Sequence, residues 1–200
     1  MTHSFLGIPY ALPPVKNLRW KPPQALEDFS TFREAKSFAS ACAQSGHIVG
    51  WYQDLIQGFG GDPHTMVAPK FSEDCLYLNI WRPASVNEND KVPVIFYIHG
   101  GSNEAGWSYE PNYLGQELAK KGVLVITIGY RLGILGFFPR KRSAPANFGL
   151  LDQIAALRWV RDNISSVGGN PESVTIMGES AGGNNVIYLL ASPLARGLFQ

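Results

Sequence analysis

The sequence predicts an α/β protein with a mostly parallel, twisted sheet and crossover helices. Residues 93–99 (PVIFYIH) and 123–128 (VLVITI) are unbroken apolar runs, the pattern of strands buried on both faces. Leu150, Ile154, Leu157, Val160 and Ile164 recur at steps of 4, 3, 3 and 4, which marks one face of a helix. Strand-like and helix-like segments alternate through the second half, the order that parallel βα units produce.

Along the chain, the first third reads as irregular, because Pro9, Pro13, Pro14, Pro22 and Pro23 favour extended, turning backbone. Residues 42–72 carry Gly58, Gly60, Gly61 and Pro63 and read as a long surface loop with a short helix near 52–56. Residues 75–81 are strand-like. Residues 111–121 can form a helix with Pro111 in its first turn. The periodic helix over 150–164 is ended by Gly168 and Gly169. Residues 174–177 form a short strand and 181–190 a helix.

The 200 residues are 45% hydrophobic and 16% charged, with a formal net charge of +1. Such a chain buries a core, and its near-neutral balance argues against nucleic acid as a partner. Arg140, Lys141 and Arg142, beside Pro139, read as a solvated loop. No apolar run is long enough to span a bilayer. Residues 1–10 lack the basic start and uninterrupted apolar stretch of a signal peptide, so either export does not use this route or the numbering starts inside a longer chain. Cys42 and Cys75 are too few for a zinc site by themselves; they are either buried thiols or one disulfide. No metal or other cofactor is implied.

Gly178-Glu179-Ser180-Ala181-Gly182 fits the G-x-S-x-G pattern. A strand runs into it and a helix begins after it, the setting of a nucleophile elbow in an α/β-hydrolase fold. The small residues let strand and helix cross closely while Ser180 stands clear on a strained turn. The Ala181 N–H, at the positive end of the helix, is then a donor for an oxyanion. Past the strand at 93–99 stands His99-Gly100-Gly101-Ser102, where lipases and esterases carry a glycine loop with further oxyanion donors. His99 reads as a structural residue of that loop rather than a base.

Taken together, these segments resemble the type-B carboxylesterase and lipase family. Residues 5–11 (FLGIPYA), 18–23 (LRWKPP), 72–79 (SEDCLYLN), 147–153 (NFGLLDQ) and 178–183 (GESAGG) carry the resemblance in the family's order. It implies an α/β-hydrolase fold and a small carboxylic ester as substrate. Ser180 would be the acylated nucleophile, and Gly101, Ser102 and Ala181 would supply the oxyanion hole. It also implies a Cys42–Cys75 disulfide, and with it a secreted, periplasmic or ER-lumenal setting. Arg19 with Glu73 and Arg131 with Asp152 resemble the family's structural ion pairs. Glu179 resembles its acidic residue beside the nucleophile, acting either as a structural carboxylate or in tuning the site. Ser102 stands where the family often has a third glycine. The cysteine loop lacks a tryptophan near its C-terminal end, which weakens a cholinesterase reading.

The hydrolase triad runs Ser, Asp or Glu, then His, yet residues 181–200 contain no Asp, Glu or His. His3, His47, His64 and His99 all precede the nucleophile. The expectation is that residues 1–200 are the N-terminal portion of a single α/β-hydrolase domain, the acid and histidine lying in a C-terminal portion absent here. These 200 residues alone would then be insoluble or molten and nearly inert. A non-catalytic binding or adhesion member of the fold and a truncated pseudoenzyme are the alternatives. Trp107, Tyr109 and Phe138 are candidates for the site's surroundings, with core packing the expected role of any one of them.

Overall fold

The computed structural model describes residues 1–26, 34–138 and 146–200; the Arg140, Lys141 and Arg142 cluster with Pro139 lies outside the described residues. The strands are β1 (Thr2–Pro9), β2 (Ala41–Cys42), β3 (Phe71–Ser72), β4 (Tyr77–Pro83), β5 (Val92–Ile98), β6 (Leu124–Ile128) and β7 (Gly169–Gly178). The helices are α1 (His47–Gly58), α2 (Gln116–Ala119), α3 (Gly133–Gly136), α4 (Phe148–Asn163) and α5 (Ala181–Ala191).

The main sheet is mixed, in the order β1-β4-β6-β5-β7. β6, β5 and β7 run parallel, whereas β4 is antiparallel to both β6 and β1. The parallel part contains the two apolar runs, and all five residues of β6 are buried. The reading of the N-terminus as irregular is corrected by β1. Its one proline, Pro9, is the final strand residue, and its partner β4 lies on one side only, so little ladder is lost. A register shift between Phe5 and Ile8 bends β1, and the Gly7 N–H released there donates to Asn79 Oδ1 at 3.0 Å. Buried Asn79 also donates to Ser108 and Thr127, which satisfies its amide inside the sheet.

Two layers cover the sheet. Ile80, Ile126, Phe96 and Val174 face α4, which buries Ile154, Leu157 and Val160, and Ile164 follows in a 3₁₀ turn capped by Gly168 at φ 85°. Trp81 and Val125 face the other way, against Ala119 of α2. The helix expected over 111–121 is split into a 3₁₀ turn (Pro111–Tyr113) and α2. Gly115 lies between them, where a Cβ would strike Trp81 and Val125, so the backbone drops onto the sheet there. The loop over 42–72 is more ordered than its composition suggests: α1 spans His47–Gly58 and packs Val49 and Tyr52 against Met66 and Trp107. β2 and β3 pair in parallel at the two ends of this loop, beside the Cys42–Cys75 disulfide. In the chain-entropy picture, closing a loop of this length stabilises by roughly 3–4 kcal/mol.

Candidate active site

Register sets the site. Ile98 of β5 is paired with Gly178 of β7, so the two neighbouring parallel strands end side by side. The loop after one and the turn after the other are therefore forced together. Glu179 N–H donates to Ile98 O at 3.4 Å across that junction.

Ser180 sits at φ 52° and ψ −121°, a conformation costly for a residue with a Cβ, and caps the N-terminus of α5. Its neighbours explain how the turn closes. A Cβ at Gly178 would overlap the Gly182 backbone, and one at Gly182 would overlap the Ile98 and His99 carbonyls. Ser180 is exposed while Ala181 behind it is buried at the first turn of the helix. Gly182 N–H donates back to Glu179 O at 2.8 Å, and the aligned peptide dipoles of the helix give its start a positive pole.

The glycine loop lies against this elbow. A Cβ at Gly100 would come within 3.1 Å of Ser180 Cβ and 2.8 Å of Glu179 O. Gly101 turns at φ 87°, and its carbonyl accepts from Glu104 N–H and Ala105 N–H at 2.9 Å each, which closes the loop on itself. Ser102 follows at φ 57° and is exposed. Gly101, Ser102, Ala181 and Ser180 thus come from two segments that the sheet brings into contact.

Glu179 is exposed, accepts from the Tyr113 hydroxyl at 3.3 Å and packs its carboxylate over Gly100. It therefore touches the glycine loop. His99 is buried, stacks on Tyr130 at 4.4 Å between ring centroids, and its Nδ1 lies 3.0 Å from Gly100 O. Burial pushes its pKa down to about 4, against the opposing effect of the Gly100 hydrogen bond, so it is neutral at pH 7. It serves as a packed prop beneath the loop. The side-chain bonds of His3 and His47 go to Arg82 and Ser45.

Other residues were not legible as part of the site. Gln44, two residues beyond Cys42, clasps Gly106 in both directions: its Nε2 donates to Gly106 O at 2.7 Å and its Oε1 accepts Gly106 N–H at 2.9 Å. Buried Glu110 accepts the Tyr52 hydroxyl at 2.6 Å and Trp107 N–H at 3.0 Å. Burial raises the Glu110 carboxyl above its ordinary range, with those two hydrogen bonds opposing. Through these contacts the disulfide-closed loop grips the far end of the glycine loop. A glutamine near a cysteine gives no sequence signal of this; only the chain path does.

Of the proposed ion pairs, Arg131 and Asp152 are both buried and form a fork, with Nε to Oδ2 at 2.8 Å and a second nitrogen to Oδ1 at 2.6 Å. Burial raises the Asp152 carboxyl, and the Arg131 hydrogen bonds and charge pull it back. Arg19 and Glu73 form a bidentate pair at 2.5 and 2.6 Å, but it is largely solvent-exposed and stabilises little. Trp107 is buried beside Tyr52, and Tyr109 stacks on Phe38, so both serve packing. Phe138 is exposed and, with Phe137, Ile134 and Leu135, lines a cleft of about 740 Å³ that reaches Ser102. Among the described residues no group of His, Cys, Asp and Glu could hold a metal, and no helix is long and apolar enough to cross a membrane.

A strand, a strained serine turn and a helix, packed beside a glycine loop on a mixed sheet, define an α/β-hydrolase. The comparisons narrow this. Residues 1–200 match the carboxylesterase family throughout. Carboxylesterase 1D of Mus musculus is 48% identical over 198 residues, covering 98% of this chain and 34% of that protein. Liver carboxylesterase 1 of Oryctolagus cuniculus is 46% identical over 201 residues, again covering 98% of this chain and 34% of its own length. The solved structure of a thermophilic PNB esterase superposes with a TM-score of 0.87 at 41% identity, covering all of this chain and 39% of that one. The chain belongs to the carboxylesterase family, and it spans about a third of the length of these relatives.

Proposed function

We propose that Ser180 is the nucleophile of a serine carboxylesterase. Its hydroxyl attacks the carbonyl carbon of a small carboxylic ester, and the alcohol leaves as an acyl-enzyme forms on Ser180 Oγ. Water then attacks that acyl group, releases the acid and restores the serine. The negative oxygen formed in each addition step is held by the N–H groups of Gly101, Ser102 and Ala181. The observation that carries this reading is the serine at φ 52° and ψ −121°, abutting Gly100. A binding scaffold would have no use for that strained geometry.

The proton from Ser180 needs a base. His99 is buried under the loop and poorly basic, so it does not fill that role; the chain's span of about a third of its relatives' length supports a histidine and acid supplied by the rest of the protein. Ile187, Tyr188, Leu190 and Leu194, on and after α5, are exposed apolar side chains that further polypeptide would cover. The Cys42–Cys75 disulfide favours an oxidising setting, whether secreted, periplasmic or ER-lumenal.

The test is a fluorophosphonate probe on the full-length protein, with peptide mapping. Labelling at Ser180, lost in Ser180→Ala together with p-nitrophenyl acetate turnover, is the expected result. An intact, folded protein without labelling at Ser180 would assign the fold a binding role instead.

A further inference from the structure

Gly101, Ser102 and Asn103 are three consecutive left-handed residues, at φ 87°, 57° and 59°. Two of them carry a Cβ, so the run persists only where its surroundings fix it. Asn103 is where those surroundings act. Its Oδ1 accepts from Asn185 Nδ2 at 2.9 Å, and its own Nδ2 faces Asn185 Oδ1 at 3.5 Å, closing an amide-to-amide pair. The Tyr130 hydroxyl lies 3.5 Å from the same Oδ1, and the Asn103 carbonyl accepts Gly133 N–H at 2.7 Å.

Asn185 is fully buried on α5, about one helical turn beyond Ala181. A buried amide left without a partner is costly, so this pair is not easily surrendered. It also joins the two segments that hold the donors. One end follows Ser102 directly; the other belongs to the helix that starts at Ser180. No other side-chain bond described above runs between the glycine loop and α5: Gln44 and Glu110 hold that loop from the opposite side.

We infer that Asn103 and Asn185 are positioning residues, an amide clamp that sets the spacing between the Gly101 and Ser102 N–H groups and that of Ala181. The inference rests on Ser180 being the nucleophile. Its effect falls on the transition state. Oxyanion donors act over a narrow range of distance, and a displacement near 1 Å costs on the order of 100-fold in rate, whereas the neutral ester carbonyl is held far more loosely.

The test uses the full-length protein and three variants: Asn103→Gly, which keeps left-handed backbone but removes the amide, Asn185→Ala, and the double variant. The readouts are kcat and KM for p-nitrophenyl acetate, Ki for a trifluoromethyl ketone, whose adduct with serine carries an oxyanion, and Tm. Each single variant should lose roughly 10- to 100-fold in kcat and in ketone affinity, with KM within about twofold. The double variant should be no worse than the poorer single, because either change already opens the clamp. Single variants that keep kcat and Ki within about twofold, or a double variant showing the product of two independent losses, would overturn the clamp. Should Asn185→Ala not fold, Asn103→Gly decides alone, since Asn103 is only half-buried. A parent protein with no Ser180-dependent labelling removes the nucleophile reading and the clamp with it; a labelled parent with indifferent variants removes only the clamp.

Discussion

Replacing Gly100 with alanine puts one methyl group where the site has no room for it. The new Cβ would stand 2.8 Å from Glu179 O and 3.1 Å from Ser180 Cβ, with the Glu179 carboxylate nearer still. Ordinary contacts between such atoms lie at about 3.5–4.0 Å, so the loop and the elbow must part by roughly 0.5–1 Å. Overpacking of this kind costs about 1–3 kcal/mol in stability. Under the proposed mechanism the larger effect is on rate, because Gly101 and Ser102 move away from Ala181 with the loop. Loss of one donor costs about 10²–10³ in kcat, so a fall near 100-fold is expected, with KM within about threefold. Burst titration of the full-length protein with p-nitrophenyl acetate gives the active fraction, and steady-state turnover gives kcat. Gly50→Ala is the control, since a Cβ there meets nothing within 4 Å. A Gly100→Ala protein with a full burst and kcat within about threefold of the parent would refute the idea that this contact sets the hole.

Gly50 lies inside α1 away from any neighbour, so Gly50→Ala should also stabilise by about 0.5–1 kcal/mol, read as a higher urea midpoint. Asp152→Ala strands the Arg131 guanidinium at 3% exposure and should cost about 3–5 kcal/mol; Arg131→Met with Asp152→Leu should recover only part of it in the same urea titration, since the Arg131 backbone N–H still loses its Asp152 acceptor. His99 has a native pKa depressed from 6.5 to about 4, so the unfolded chain binds the extra proton between those values. Its contribution is complete above pH 6.5 and fades toward pH 4, a loss of about 2 kcal/mol between pH 7.0 and 4.5 that unfolding at those two pH values should show. His99→Asn, which keeps a donor near the Nδ1 position, should flatten that slope.

How far the sequence carried depended on the range of the forces involved. The parallel strands, α4 and α5 were legible because burial on both faces, or on one stripe, imposes a local period that the residues display. The elbow was legible because its glycines are demanded by close crossing, and Gly178 and Gly182 do meet backbone where a Cβ would sit. β1 was missed because prolines dominate its surroundings, while its pairing partner lies some seventy residues away at β4. Gln44, Glu110 and the Asn103–Asn185 pair were missed for the same reason. Each is an ordinary polar residue whose role comes from a contact across 62, 58 or 82 residues of chain.

The position of the site follows from the path of the chain as much as from its motifs. β5 lies between β6 and β7, and its connection toward β6 passes through α2, on the face that carries Trp81 and Val125. β7 is reached by way of α4 on the other face and leaves into α5, which packs against β5, β7 and α4. The segments that follow β5 and β7 therefore depart to opposite faces although the strands are neighbours. A crevice must open between them at the carboxyl ends of the strands, the place where open α/β sheets bind ligands. His99-Gly100-Gly101-Ser102 and Glu179-Ser180-Ala181 are the residues that stand on its two lips. The fold thus brings two backbone segments together at one point. What it does not by itself determine is how far apart they stand, and that spacing is left to side chains that cross the gap: Glu179 over Gly100, and Asn185 to Asn103.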